Sequence, residues 1–127
     1  MTIRPATPDD AGAIAQVHVE AWRTAYQSLL PAAFLATLSE EQRRSRWFEI
    51  LTNSRVPEFT FVVESHGQIV GFTNGGPERT QDPELVGEIY AIYLLHEHRR
   101  HGIGTALFQR SVDFLLEHQL NSLKIWS

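Results

Sequence analysis

The chain has 127 residues, 43% of them hydrophobic, which is typical of one small folded domain and too apolar for a disordered chain. It has no cysteine, which excludes disulfides and thiolate chemistry, and its net charge of −4 argues against nucleic acid as a partner. No apolar run approaches a membrane span and the first residues lack a signal-peptide core, so we expect no membrane association and a cytoplasmic location.

A short opening strand around Ile3 leads to a predicted helix that begins at the segment Thr7-Pro8-Asp9-Asp10. A hydroxyl cap, a proline at the first helical position and acidic residues in the first turn are typical of a helix N-terminus. Along this helix, large side chains recur every four residues, at Ile14, His18, Trp22 and Tyr26. This spacing places them in one mostly apolar stripe. Because His18 lies on an apolar stripe, we expect it to be partly buried and hydrogen-bonded and not catalytic.

Two further helical segments follow a break at Pro31. Residues 32–38 predict a short helix. Ser39 and Gln42 form a capping box, which predicts a longer helix that carries Trp47.

The period then changes from that of a helix to that of strands. Residues 59–63 and 69–73 predict a hairpin around a His66-Gly67 turn, and residues 74–77 bend its second strand or end it. Residues 88–95 predict an apolar strand, a helix opens at Gly102, and residues 123–126 begin a last strand. The order β-α-α-β-β-β-α-β predicts a mixed α/β layer architecture.

Between the apolar strand and the last helix lies the segment Arg99-Arg100-His101-Gly102-Ile103-Gly104-Thr105. The first amides of a helix have no internal partner, and the two glycines remove side chains that would block an approaching anion. A plain turn is the alternative, but strand, basic pair, glycines and helix occur in the order that an anion-binding cradle needs. A P-loop is excluded because Gly-Lys-Ser/Thr is missing, and a dinucleotide fingerprint fits poorly because Leu107 stands where its third small residue belongs.

The six residues from Arg99 to Gly104 resemble motif A of the GNAT acetyltransferase superfamily, Gln/Arg-x-x-Gly-x-Gly/Ala. The preceding strand "EIYAIYLL" resembles the fourth strand of that family, and the opening "TIRPATPDDAGAIAQVHVEAWRTAYQSLLP" resembles a common bacterial GNAT beginning. The resemblance covers nearly the whole chain and implies a GNAT-like mixed sheet. His96 departs from it, since many members have proline near the end of the strand.

The resemblance implies that acetyl-CoA is the co-substrate. Its pantetheine arm would pair with the backbone of the fourth strand, whose Tyr93 or Leu94 amide would hold the oxyanion. Its pyrophosphate would take amides of the turn and helix start, with the Arg99-Arg100 pair adding positive charge. The implied cofactor-binding residues are Ile92, Tyr93, Leu94, Arg99, Arg100, His101, Gly102, Ile103, Gly104 and Thr105.

The implied reaction is direct acetyl transfer to an amine, which must lose a proton before it attacks. Glu88 occupies a position similar to that of the general base in some family members, so it is the candidate catalytic residue. The alternative is an ordinary acidic residue at a strand end, solvated or paired.

The resemblance implies that the acceptor is an amine of a small molecule or of a protein. In the family, the first two helices and the loop between them border the acceptor site. The candidate acceptor-binding residues are Trp22, Tyr26, Gln27 and Asn74. The aromatic residues among them have an alternative role in the core. We expect no metal site, because the His96-x-His98-x-x-His101 cluster lacks nearby carboxylates other than Glu97.

Two functions of different class remain open: an N-acetyltransferase, and a CoA-binding or assembly module with this fold and little turnover. Residues 1–127 are expected to be a single GNAT-like domain that is incomplete at its C-terminus, because the family usually continues with a helix and two strands. That segment supplies a tyrosine that protonates the departing thiolate, so weak catalysis is expected here. The uncovered end predicts association as a symmetric homodimer.

Overall fold

The fold is known from a computed structural model that describes residues 1–26, 40–77, 86–95, 102–118, 120 and 122–125, with only the backbone described at 25, 26, 86 and 122–125. The elements are β1 (Thr2–Pro5), a 3-10 turn (Pro8–Asp10), α1 (Ala11–Tyr26), α2 (Glu40–Asn53), β2 (Phe59–Ser65), β3 (Gln68–Pro77), β4 (Val86–Leu94), α3 (Ile103–Glu117) and β5 (Ser122–Ile125). The predicted α/β class and element order are confirmed. The predicted short helix at residues 32–38 lies outside the described residues.

The strands form one five-stranded sheet in the order β1-β2-β3-β4-β5. Each of the first three pairings is antiparallel, and β4 pairs with β5 in parallel. The segment Asn74-Gly75-Gly76-Pro77 is paired with β4 at all four residues, with a register shift between Asn74 and Gly75, and β3 ends at Pro77. The sequence could not separate these outcomes, since glycine and proline suit both a bend and a strand end.

A hydrophobic core lies on each face of the sheet. On one face α3 contributes Ile103, Leu107 and Leu115, which pack against the alternate residues Phe59, Phe61 and Val63 of β2. On the other face α1 and α2 pack on the remaining set of strand residues, with Ile14, Trp47, Val62 and Phe72 at the centre. Because side chains alternate along a strand, one continuous apolar run in β2 serves both cores.

An ion-pair cluster joins β1 to the start of α1 and to β2. The guanidinium of Arg4 donates two parallel hydrogen bonds to Asp10, at 2.8 and 2.9 Å, and Nε donates a third to Glu64 at 2.8 Å. Asp10 also accepts the backbone N–H of Thr7 at 2.8 Å, which closes the helix start. The hydrogen bond from Arg4 is the main cause that lowers the pKa of Asp10 below its usual value.

Asp10→Asn should lower the free energy of unfolding at pH 7 by about 1–3 kcal/mol, because it removes the carboxylate that accepts two hydrogen bonds from Arg4 and leaves Glu64 as the carboxylate of the cluster. The lowered pKa of Asp10 means that this stabilisation is present above the unfolded pKa and is lost as pH falls through the folded one. Urea unfolding at pH 7 and at pH 3 measures both effects. Asp9→Asn, at the exposed neighbouring position, is the matched control. Equal losses in the two variants would contradict the role of the cluster.

Candidate active site

The centre of β4 carries one residue more than the facing segment of β3. Asn74 lies opposite Ala91 while Gly75 lies opposite Ile89, so Tyr90 is the extra residue of a β-bulge. The Tyr90 hydroxyl donates to the carbonyl of Pro77. A Cβ at Gly75 would lie 2.5 Å from the carbonyl oxygen of Glu88, so only glycine permits this close approach of the two strands.

Beyond the bulge, the backbone of β4 has an edge directed away from β3. The Leu95 N–H donates to the Val70 carbonyl at 2.9 Å, and N–H groups alternate in direction along a strand. The Leu94 N–H therefore points to the β5 side of the strand and the Tyr93 N–H points to β3. The described pairing with β5 covers only Val86–Ile89, which lies before this edge. An extended ligand can pair with such an edge as an added strand would.

The N-terminus of α3 follows β4 in the chain. Gly102 has φ +74°, in the left-handed region that favours glycine. Among the described residues, no atom other than those of its chain neighbours and of the helix backbone lies within 4 Å of a Cβ built on Gly102 or Gly104. The first helical hydrogen bond runs from Ala106 N–H to Gly102 O, so the amides of residues 103–105 precede the internal bonding pattern. Open space and free amides at a helix N-terminus fit a pyrophosphate.

Of the predicted cofactor-binding residues, Ile92, Tyr93, Leu94, Gly102, Ile103, Gly104 and Thr105 are described, and Arg99, Arg100 and His101 lie outside the described residues. Ile103 is buried in the core beside α3, so only its backbone is available to a ligand. Ile92 is 36% exposed although it belongs to a central strand of the sheet. Its exposed apolar side chain fits the pantetheine arm of a cofactor that lies along β4.

Glu88 is buried, with 1% of its surface exposed, and lies opposite Gly76 of β3 and Lys124 of β5. A Cβ on Gly87 would contact Leu115 of α3, so residue 87 faces α3. Because side chains alternate along a strand, Glu88 faces the opposite side of the sheet, which α1 and α2 cover. The candidate base and the helix α3 are thus on opposite faces of one strand.

Among the predicted acceptor-binding residues, Asn74 is the most clearly defined. Its side-chain Nδ2 donates to the Phe59 carbonyl and to the Thr60 hydroxyl, each at 3.0 Å, on the face that Glu88 shares. Trp22 is half-buried on α1. Tyr26 is described only as backbone at the end of α1, and Gln27 lies outside the described residues.

His18 is half-buried and hydrogen-bonded, which confirms the prediction for this residue. Its Nδ1 accepts the Trp47 indole N–H at 3.2 Å, and its ring lies 4.9 Å from the ring of Tyr93 and 5.9 Å from that of Phe72, measured between centroids. Burial, with a smaller contribution from the nearby Arg43 guanidinium, lowers the pKa of His18 to about 4. No pattern in the sequence indicated the pairing with Trp47, because the two residues are 29 positions apart.

A cavity of about 570 Å³ lies elsewhere, between α1 and the β2–β3 turn, and none of the predicted site residues lines it.

In the part of the chain that the structure describes, no group of three His, Cys, Asp or Glu residues could hold a metal ion. The predicted metal-free histidine cluster at residues 96–101 lies outside that part. No helix among the described elements has the length and apolar character needed to cross a membrane.

The sequence profile of the acetyltransferase (GNAT) family matches residues 18–127. The chain belongs to this family. Uncharacterized N-acetyltransferase YuaI of Bacillus subtilis is 37% identical over 127 residues, which cover 99% of this chain and 70% of that protein. Acetyl-CoA is the co-substrate of GNAT enzymes, and the β4 edge with the start of α3 fits it in this chain.

Solved GNAT structures share the fold. PaiA N-acetyltransferase from Thermoplasma acidophilum, solved in complex with coenzyme A, has a TM-score of 0.77 at 14% identity, covering 99% of this chain and 78% of its own. Ribosomal-protein-alanine N-acetyltransferase from Brucella melitensis has a TM-score of 0.74 at 25% identity, covering 98% of this chain and 73% of its own. The GNAT fold predicted from the sequence is therefore confirmed.

The free energy of unfolding should fall as pH is lowered from about 6.5 to about 4 because of His18. In this window the unfolded chain takes a proton on the imidazole while the folded protein holds it neutral, so protonation favours unfolding. His18→Gln keeps an acceptor for Trp47 and removes the titration, so its unfolding free energy should depend less steeply on pH. Urea unfolding at several pH values measures the two slopes. His66→Asn, at an exposed turn histidine, is the control, and parallel slopes in wild type and His18→Gln would contradict the assignment.

Proposed function

We propose that the protein is an N-acetyltransferase that transfers the acetyl group of acetyl-CoA to an amine of a small molecule or a protein. The observation that carries this proposal is the construction of β4. Before the bulge, β4 carries Glu88 on the face of the sheet that α1 covers. After the bulge, its free backbone edge leads to the open N-terminus of α3.

Bound acetyl-CoA supplies an activated acetyl thioester. The backbone groups of Ile92 and Leu94 orient its pantetheine arm, and Ile92 covers the arm with apolar surface. The amides of residues 102–105, with Arg99, Arg100 and His101, hold the pyrophosphate. Of the two amides predicted for the oxyanion, that of Leu94 is better supported, because the Tyr93 N–H is directed toward β3.

Glu88 takes the proton that the amine loses when it attacks. Glu88 and Asn74 belong to the same face of the sheet, which α1 and α2 cover, and Trp22 is a residue of α1. The other proposed acceptor-binding residues are Tyr26, at the end of α1, and Gln27, which lies outside the described residues. The likeness to the ribosomal-protein-alanine enzyme supports a protein N-terminus among the acceptors to be tested.

The decisive experiment measures thiol release from acetyl-CoA over a panel of amines: a peptide that begins with alanine, free amino acids and simple alkylamines. Turnover on any of them supports the N-acetyltransferase. Acetyl-CoA binding without turnover on any of them supports the alternative, a CoA-binding or assembly module. The homodimer and the cytoplasmic location stay predictions of the sequence, and light scattering measures the first.

Glu88→Gln should lower kcat by about 100-fold on the best amine of the panel, because the amide cannot take a proton. The rise of the rate with pH should also disappear. The acetyl-CoA KM should change by less than about twofold, since the proposed cofactor contacts involve other residues. Glu49→Gln, at an exposed position of α2, is the control. A pH–rate profile unchanged in Glu88→Gln would remove Glu88 from the mechanism.

Gly104→Leu should abolish the stabilisation by acetyl-CoA, which is about 2.7 kcal/mol for wild type at 100 times the dissociation constant. A Cβ at Gly104 enters open space beside the helix start in the described part of the chain, so we expect the leucine to block the pyrophosphate at little cost to the fold. The melting temperature without ligand should therefore be retained, and a thermal shift assay measures both.

The matched control is Ala106→Leu. Ala106 is exposed in the same turn, and its N–H is already bound to Gly102 O. A full acetyl-CoA shift in Gly104→Leu would argue against the proposed cradle.

A further inference from the structure

The side-chain amide of Asn74 is held in one orientation by β2. Both hydrogen bonds of Nδ2 run to adjacent residues of that strand, to the Phe59 carbonyl and the Thr60 hydroxyl. Thr60 lies directly opposite Asn74 in the antiparallel pairing and is 8% exposed. An amide nitrogen with two acceptors has used both of its donors, so rotating the amide by half a turn would break both bonds.

This orientation turns the Asn74 carbonyl oxygen away from β2. Nδ2 and Oδ1 branch from Cγ in different directions, so with Nδ2 bound to β2 the oxygen Oδ1 is directed away from that strand. Among the described residues no group donates a hydrogen bond to Oδ1. The residue opposite on β4 is Ala91, whose small side chain leaves room next to the oxygen.

The Glu88 carboxylate belongs to the same face of the sheet. Glu88 lies opposite Gly76, which is two positions after Asn74 on β3. Asn74 and Glu88 therefore belong to one face of two neighbouring strands, on either side of the bulge at Tyr90. A carbonyl acceptor and a carboxylate acceptor on one face suit a primary amine, which has more than one N–H to donate.

We propose that Thr60 is a positioning residue for the acceptor: by accepting Nδ2 it fixes Asn74 so that Oδ1 receives one N–H of a primary amine while Glu88 takes the other proton. The proposal rests on the acetyl transfer proposed above and specifies its acceptor class. Thr60 itself forms no bond with the amine. It restricts the amide of Asn74 to the orientation that offers an acceptor, and it has no role in cofactor binding.

Thr60→Val removes the hydroxyl at nearly constant volume, and Thr60→Ser keeps it. With the best amine of the panel, Thr60→Val should raise the acceptor KM about fivefold, because the freed amide offers Oδ1 only part of the time. The acetyl-CoA KM should stay within about twofold of wild type, and Thr60→Ser should match wild type for both substrates. An unchanged acceptor KM in Thr60→Val, or an equal rise of both KM values, would overturn the proposal.

Steady-state kinetics are combined with melting temperatures, and Thr60→Ala replaces Thr60→Val if the latter does not fold. If wild type acetylates no panel amine, the proposed function fails, and a binding measurement tests the positioning role separately. Titration of ¹⁵N-labelled wild-type protein with n-butylammonium should shift the Asn74 side-chain resonances, and Thr60→Val should weaken that shift. No shift in wild type, or equal shifts in both proteins, would overturn the positioning role as well.

Discussion

One extra residue in β4 gives the strand two different halves. Before Tyr90, residues 87–89 are paired on both sides, with β3 and with β5, and they are buried. After Tyr90 the described pairing is with β3 alone, and Ile92 becomes exposed. The bulge is possible because Gly75 has no side chain to collide with the Glu88 carbonyl. The proposed cofactor edge and the proposed base therefore depend on one local irregularity.

Two cores keep this irregular strand in place. On one face, Leu115 of α3 packs against the backbone at Gly87. On the other face the rings of His18 and Phe72 contact Tyr93, and the ring of Trp47 packs against both of them. The neutral imidazole is part of that support, because a charged His18 in this position would lose hydration that the aromatic neighbours cannot replace. Packing on both faces restricts the movement of β4 relative to the cofactor site.

Buried polar groups near the site are paired, which makes the sheet rigid there. In the described residues no buried side-chain nitrogen or oxygen lacks a hydrogen-bond partner. Ser111 of α3 donates to Thr73 at 3.0 Å on one face, while Asn74 donates to Thr60 on the other. Adjacent residues of β3 thus connect the strand to α3 on one side and to β2 on the other. Such satisfied pairs specify one arrangement, because any shift leaves a buried group without its partner.

The sequence by itself determined the order of the elements, the hairpin, the start of α3 at Gly102 and the buried state of His18. These are local properties: side-chain period, turn residues and helix caps act over a few positions. Tertiary structure decided what local patterns do not contain. The bulge at Tyr90 arises from the register between β3 and β4, the partner of His18 comes from a helix 29 positions away, and Asn74 is oriented by β2. Register and packing between distant segments are set by the whole core, because a side chain finds its partner only after strands and helices have assembled.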